Sequence, residues 1–106
     1  MKNFEKLIWR DAITLVEFST TRCNPCERAR TETDRFMKRM GGRVDLVRVD
    51  VEDPDMRPAL ERYNIRSAPA LLFFRHGQEL ARIGGPATYA ALIAALDRIE
   101  AAEHVQ

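Results

Sequence analysis

Cys23 and Cys26 bracket Asn24-Pro25 where an apolar strand pattern gives way to a helical one, and that junction constrains the fold more than any other stretch. Ile13-Thr14-Leu15-Val16-Glu17-Phe18 is a β-branched and aromatic run that reads as a buried strand. Ser19 to Arg22 is polar and reads as a loop. From Pro25 to about Met40, Cys26, Ala29, Thr33, Phe36, Met37 and Met40 recur at helical spacing, and Gly41-Gly42 stops the helix. Pro25 is tolerated in the first turn, where no intrahelical acceptor waits for the N–H it lacks.

The rest of the chain repeats the alternation. Phe4, Leu7 and Ile8 space like the buried side of a short helix. Val44 to Val49 is a second strand, and Pro54 to Tyr63 reads as a helix with Met56, Ala59, Leu60 and Tyr63 on one side. Ala70 to Phe74 and Leu80 to Ile83 read as strands joined by a tight turn at His76-Gly77-Gln78, which makes them antiparallel. Pro86 is expected to open the last helix, with the stripe Tyr89, Leu92, Ile93, Leu96 and Ile99. The order α-β-α-β-α-β-β-α calls for an α/β fold, a three-layer α/β/α sandwich around a central mixed sheet.

At 106 residues the chain is expected to be one domain over 1–106. Its 45 % apolar and 31 % charged residues fit a globular protein, and a net charge of +1 gives no basic field for nucleic acid or an anionic membrane. No apolar run approaches membrane-spanning length. Met1 to Arg10 carries Lys2, Glu5 and Lys6 and lacks the pattern of a secretory signal, so the expected compartment is the cytoplasm. There a CxxC pair is more often catalytic or metal-binding than structural.

The position of the pair separates its two thiols. Free helical N–H groups and the positive end of the dipole stabilise a thiolate at Cys23, and Arg22 adds a positive charge beside it. Cys26, one turn in on the apolar side, should be buried. That suits a two-step exchange, in which Cys23 attacks a disulfide and Cys26 resolves the mixed intermediate. The structural alternative is a disulfide over four residues, which removes little unfolded-state entropy. Structural zinc takes four ligands, there is no second CxxC, and His76 and His104 lie far along the chain, so no metal or other cofactor is expected.

Two further residues stand out. Glu17 interrupts an apolar strand, where an ionised carboxylate is costly to bury. It is a candidate to exchange the proton of Cys26, and equally a sheet-edge carboxylate with its head in water or the partner of a cation. Pro69, after Ser67-Ala68 and before a strand, fits a rigid strand start or a cis bond.

Taken together these features resemble the thioredoxin family across nearly the whole chain. Thr14-Leu15-Val16-Glu17-Phe18, Cys23-Asn24-Pro25-Cys26, Tyr63-Asn64-Ile65-Arg66-Ser67-Ala68-Pro69, Leu71-Leu72-Phe73-Phe74, Gly77 and Gly84 fall in family order. The resemblance implies a thioredoxin fold and a protein-disulfide reductase that cycles Cys23 and Cys26 between dithiol and disulfide. It implies that Pro69 is a cis-proline facing the cysteines and that Ala68 presents its backbone to a substrate strand. Gly84 would lie beside the peptide groove, and Glu17 would stand where the family keeps a buried aspartate. Implied partners are protein disulfides and a thioredoxin reductase or other thiol reductant, with a monomer as the default.

The departures concern the rim. Arg22 and Ser19 occupy positions where the family usually has aromatics, Asn24 replaces the glycine between the cysteines, and Arg48 stands where a lysine is common. The segment from Pro54 to Tyr63 is about three residues longer than usual, and Gly85-Pro86 stiffens the loop after Gly84. The surface around Arg22, Asn24 and Pro25 is thereby more polar and positive, which points toward acidic partners. Two other readings share the same residues: a redox-sensing or partner-binding module, and a disulfide oxidase or isomerase.

Overall fold

In the computed structural model, which describes residues 3–104, strand β1 (Ile13–Ser19) forms the centre of the molecule. Its first six residues are buried because both faces are covered, as expected of a continuous β-branched and aromatic run. β1 pairs in parallel with β2 (Val44–Asp50) and antiparallel with β3 (Ala70–Arg75), and β4 (Gln78–Arg82) closes the other edge, giving the order β2-β1-β3-β4. The helices are α1 (Phe4–Ile8), α2 (Asn24–Met40), α3 (Arg57–Arg62) and α4 (Tyr89–His104), with a 3-10 turn over Pro54–Met56 ahead of α3.

Alternation along β1 divides the core in two. Ile13 and Leu15 pack with Ala29 and Phe36 of α2 and with Leu92, Leu96 and Ile99 of α4. Val16 and Phe18 face the opposite way, onto Phe4 and Ile8 of α1 and Met56 and Ala59 of the α3 region. The result is the expected three-layer sandwich around a mixed sheet. The stripe read for α2 is the buried one at Cys26, Ala29, Thr33 and Phe36, with Met37 and Met40 partly covered at its end.

Some boundaries differ from expectation for identifiable reasons. α4 begins at Tyr89, not at Pro86; Thr88 accepts the Ala91 N–H on its hydroxyl at 3.1 Å and so acts as the N-cap. The β3–β4 turn has two residues, His76 (φ 51°) and Gly77 (φ 79°), so Gln78 already pairs with Arg75. That is the left-handed geometry a two-residue hairpin needs. The turn is tied to the start of the chain, because Gly77 donates to the Ile8 carbonyl at 2.9 Å and the Trp9 ring lies against Gly77. β4 ends at Arg82, and Leu80 is half-exposed because an edge strand has only one covered side.

Candidate functional site

Every part of the site hangs from the end of β1. Ser19 leaves the strand, and Thr20 and Thr21 donate their hydroxyls to the Glu52 carboxylate at 2.7 and 3.2 Å, which anchors the loop to the segment after β2. Those bonds hold the Glu52 carboxyl below the usual glutamate range, Thr20 contributing most. Arg22 then adopts a left-handed conformation (φ 52°) and turns the chain into α2.

Cys23 is the N-cap of α2. Its backbone is extended, and its Sγ accepts the Cys26 N–H at 3.1 Å, one of the donors a helix leaves unpaired in its first turn. The two sulfurs are joined in a disulfide with the Cα atoms 5.1 Å apart, well within reach of such a bond. Burial separates them as the sequence suggested. Cys26 is 4 % exposed, whereas Cys23 is half-buried at the loop surface.

The Ala68–Pro69 peptide bond is cis and leads directly into β3. Pro25 and Pro69 line one groove of about 620 Å³, floored by Ala29, Leu71 and Ile83 and closed by Pro86. A second hollow of about 340 Å³ is lined by Thr20, Ile65, Arg66 and Ala68. Leu71 belongs to the α2/α4 layer and Ile65 packs on the α1/α3 layer, so the hollows lie on opposite faces of the sheet and meet at Ala68–Pro69. Gly84 is exposed between groove residues Ile83 and Gly85, and Asn24 and Pro25 are exposed in the first turn of α2.

Glu17 is 1 % exposed, so the water-facing alternative is excluded. Its Oε1 accepts from Arg48 Nε at 2.8 Å across the β1–β2 register, and its Oε2 accepts from Thr33 Oγ1 at 3.4 Å. Thr33 is two turns beyond Cys26 on the same buried face of α2. Arg48 also donates from Nη2 to Asp34 at 2.6 Å. Burial works against its charge, but the hydrogen bonds to Asp34 and Glu17 outweigh this and raise its pKa. Thr33 and Asp34 were not picked out as functional in the sequence. A polar Thr33 within an apolar stripe was the available signal; Asp34 had none.

Other chemistry finds no assembly here. Among the described residues no group of three or more His, Cys, Asp and Glu side chains is placed to hold a metal. His76 sits 2.6 Å from Asp11 at the hairpin turn, and His104 is exposed in α4. Among the same residues no helix is long and apolar enough to cross a membrane.

A cysteine pair of unequal burial at a helix N-terminus, next to the start of β3, is a thiol–disulfide redox centre, with the electrons held on the protein's own sulfurs. The chain belongs to the thioredoxin family, whose family model, described as thioredoxin, matches residues 1–98. It is 33 % identical over 84 residues to thioredoxin C-2 of Corynebacterium nephridii, covering 79 % of this chain and 76 % of that protein. Against thioredoxin-1 of Saccharomyces cerevisiae the identity is 28 % over 94 residues, with coverage of 87 % and 88 %. The thioredoxin structure of Fasciola hepatica superposes with a TM-score of 0.75 at 26 % identity, covering 90 % of this chain and 89 % of that one. That of Trypanosoma brucei brucei gives 0.79 at 18 % identity and coverage of 92 % and 83 %, a likeness of fold. Membership brings the general partners of such a centre: a disulfide to be reduced and a reductant that restores the dithiol.

Proposed function

We propose that this chain is a single-domain, monomeric, cytoplasmic reductant of protein disulfides, with Cys23 as nucleophile and Cys26 as resolving thiol. The observation that carries the reading is the asymmetry of the pair. The Cys23 sulfur is the more accessible and receives an N–H of the helix N-terminus, while Cys26 is buried one turn in. A thiolate is stabilised at the first position and shielded at the second.

The cycle begins from the dithiol. Cys23 thiolate attacks one sulfur of the substrate disulfide, forms a mixed disulfide and expels the other substrate sulfur as a thiolate, which takes a proton. Cys26 loses its proton and attacks the Cys23 sulfur, giving the intramolecular disulfide and releasing the second substrate thiol. Two electrons and two protons pass from the pair to the substrate. Glu17, between β1 and α2, is the candidate to exchange the Cys26 proton. Ala68 presents its backbone to an extended substrate strand, Pro69 faces the sulfurs, and Arg22, Asn24, Pro25 and Gly84 border the approach.

Insulin reduction driven by dithiothreitol, together with the reduction potential of the pair, tests this. Turnover that disappears in Cys23→Ser, a trapped mixed disulfide in Cys26→Ser, and a potential near that of a reductant, about −270 mV, are the expected results. A potential in the range of about −180 to −120 mV would instead assign an oxidase or isomerase. A stable partner complex without turnover would assign a redox-gated module.

A further inference from the structure

We propose that the site selects disulfides carried on acidic polypeptide segments, through Arg22, Arg28 and Arg66. This rests on the reductase reading above and names the substrate class for that same site.

The three arginines stand on the segments that carry Cys23, Pro25 and Ala68–Pro69, and they are left free. Arg28 lines the larger groove with Pro25 and Pro69, Arg66 lines the smaller hollow with Thr20 and Ala68, and Arg22 directly precedes Cys23. All three are exposed, and none has an ion pair or a side-chain hydrogen bond among the described residues. Elsewhere arginines are matched, as in Arg10 with Asp45, Arg62 with Glu5 and Arg82 with Glu79. Among the described residues Arg30, Arg39, Arg57 and Arg98 have no ion pair or side-chain hydrogen bond either, but they line neither hollow.

Three acids stand on or are bonded to the same segments, and none of them pairs with Arg22, Arg28 or Arg66 among the described residues. Glu32 borders the larger groove, yet its carboxylate accepts the Tyr89 N–H at 2.8 Å at the N-terminus of α4, where the helix dipole offsets its charge. Glu52 is held by Thr20 and Thr21. Glu27 is exposed and lines neither hollow. An incoming carboxylate therefore meets guanidinium groups with their donors unused, which suits a charge-assisted bond.

The geometry commits the occupant to a polypeptide. Arg28 lines the groove that contains Pro69 and Arg66 the hollow that contains Ala68, so the two hollows flank the Ala68–Pro69 peptide. A ligand that engages both has to span that peptide. An extended chain with acidic residues on both sides of its cysteine does this, with an apolar side chain against Ala29, Leu71 and Ile83.

The test uses the reduced full chain and three peptides of one length, each with one intramolecular disulfide and with Glu/Asp, Gln/Asn or Lys flanks. At low salt the acidic peptide is expected to react about tenfold faster than the neutral one, through steering and rim contacts, and the Lys peptide slowest. The acidic-to-neutral ratio should fall as ionic strength rises. In the R28Q/R66Q double variant, its fold checked by circular dichroism, the ratio should drop to about twofold. A ratio near one in the parent chain overturns the proposal, as does a ratio without salt dependence or one unmoved by R28Q/R66Q. An equal advantage for glutathione disulfide over a neutral small disulfide overturns the commitment to a polypeptide. If no peptide is reduced, the reductase reading fails by itself, and the oxidised chain is titrated with a cysteine-free acidic peptide. Salt-sensitive binding weakened in R28Q/R66Q then upholds the selection, and absence of binding ends it.

Discussion

Arg48 on β2 holds the buried Glu17 carboxylate of β1 at 2.8 Å, directly across the parallel register. The same guanidinium reaches Asp34 on α2, so one side chain ties sheet to helix. Arg48→Met would leave the Glu17 carboxyl without its cationic partner in the core. Breaking a fully buried pair costs about 3–5 kcal/mol; with Arg48 a third exposed, about 2 kcal/mol is expected from urea unfolding. Arg48→Lys should lose about half of that, since an ammonium lacks the fork that serves both acids. Asp34→Asn, at an exposed carboxylate, should cost less than about 1 kcal/mol. A larger loss for Asp34→Asn than for Arg48→Met would refute this account.

Phe36 joins α2 to the sheet. It is fully buried and meets Phe73 of β3 edge-on at 6.0 Å between ring centroids. Phe36→Ala should therefore destabilise the fold by about 3–5 kcal/mol, through lost transfer energy and the cavity left behind. Phe36→Leu keeps most of the volume and should cost under about 2 kcal/mol. Denaturant midpoints decide it, and near-equal losses for the two variants would mean that the site collapses around the gap.

Gly77 faces two constraints. Its φ of 79° is left-handed, and a Cβ there would stand 2.5 Å from Trp9 Nε1. The ring is 64 % exposed and can swing aside, so the backbone term dominates. Gly77→Ala should cost about 1–2 kcal/mol, and most of that should persist in a Trp9→Ala background. Thermal melts of the four-member cycle provide the check. Relief of the penalty by Trp9→Ala would show that the clash, not the dihedral, sets the cost.

Glu52 gives a pH dependence of known sign. The hydroxyls of Thr20 and Thr21 favour its carboxylate, so its folded pKa lies below the unfolded value. The stabilisation it provides is present above the unfolded pKa and is lost as pH falls through the folded one. Carboxyl NMR titration should place the Glu52 midpoint below that of an ordinary glutamate. Thr20→Val should raise it more than Thr21→Val, following the 2.7 and 3.2 Å bonds. An unmoved midpoint in Thr20→Val contradicts the assignment.

Much of this was written locally in the chain. Periodicity alone marked Cys26, Ala29, Thr33 and Phe36 as one buried face, and an acid among Ile, Leu, Val and Phe marked Glu17 as anomalous. What local pattern could not supply was the third dimension. Arg48 meets Asp34 only because β2 lies next to β1 under α2, and Arg28 and Arg66 flank the site only because α2 and the segment before β3 converge on it. The start of α4 differs from expectation because Thr88 caps the helix and Pro86, apt for a first turn, lies two residues ahead of that cap. Leu80 differs for another reason, since an apolar residue in a strand carries no mark of whether its strand lies at an edge.

The position of Trp9 has an optical consequence. It is the chain's one tryptophan, and it rests on the β3–β4 turn, at the end of the sheet where β1 begins. The sulfurs follow the other end of β1, a strand of seven residues and about 20 Å. With Arg22 in place of an aromatic beside Cys23, the disulfide has no indole as its neighbour in the sequence. Intrinsic fluorescence of this protein therefore follows the packing of its hairpin turn and stays silent to the oxidation state of its thiols.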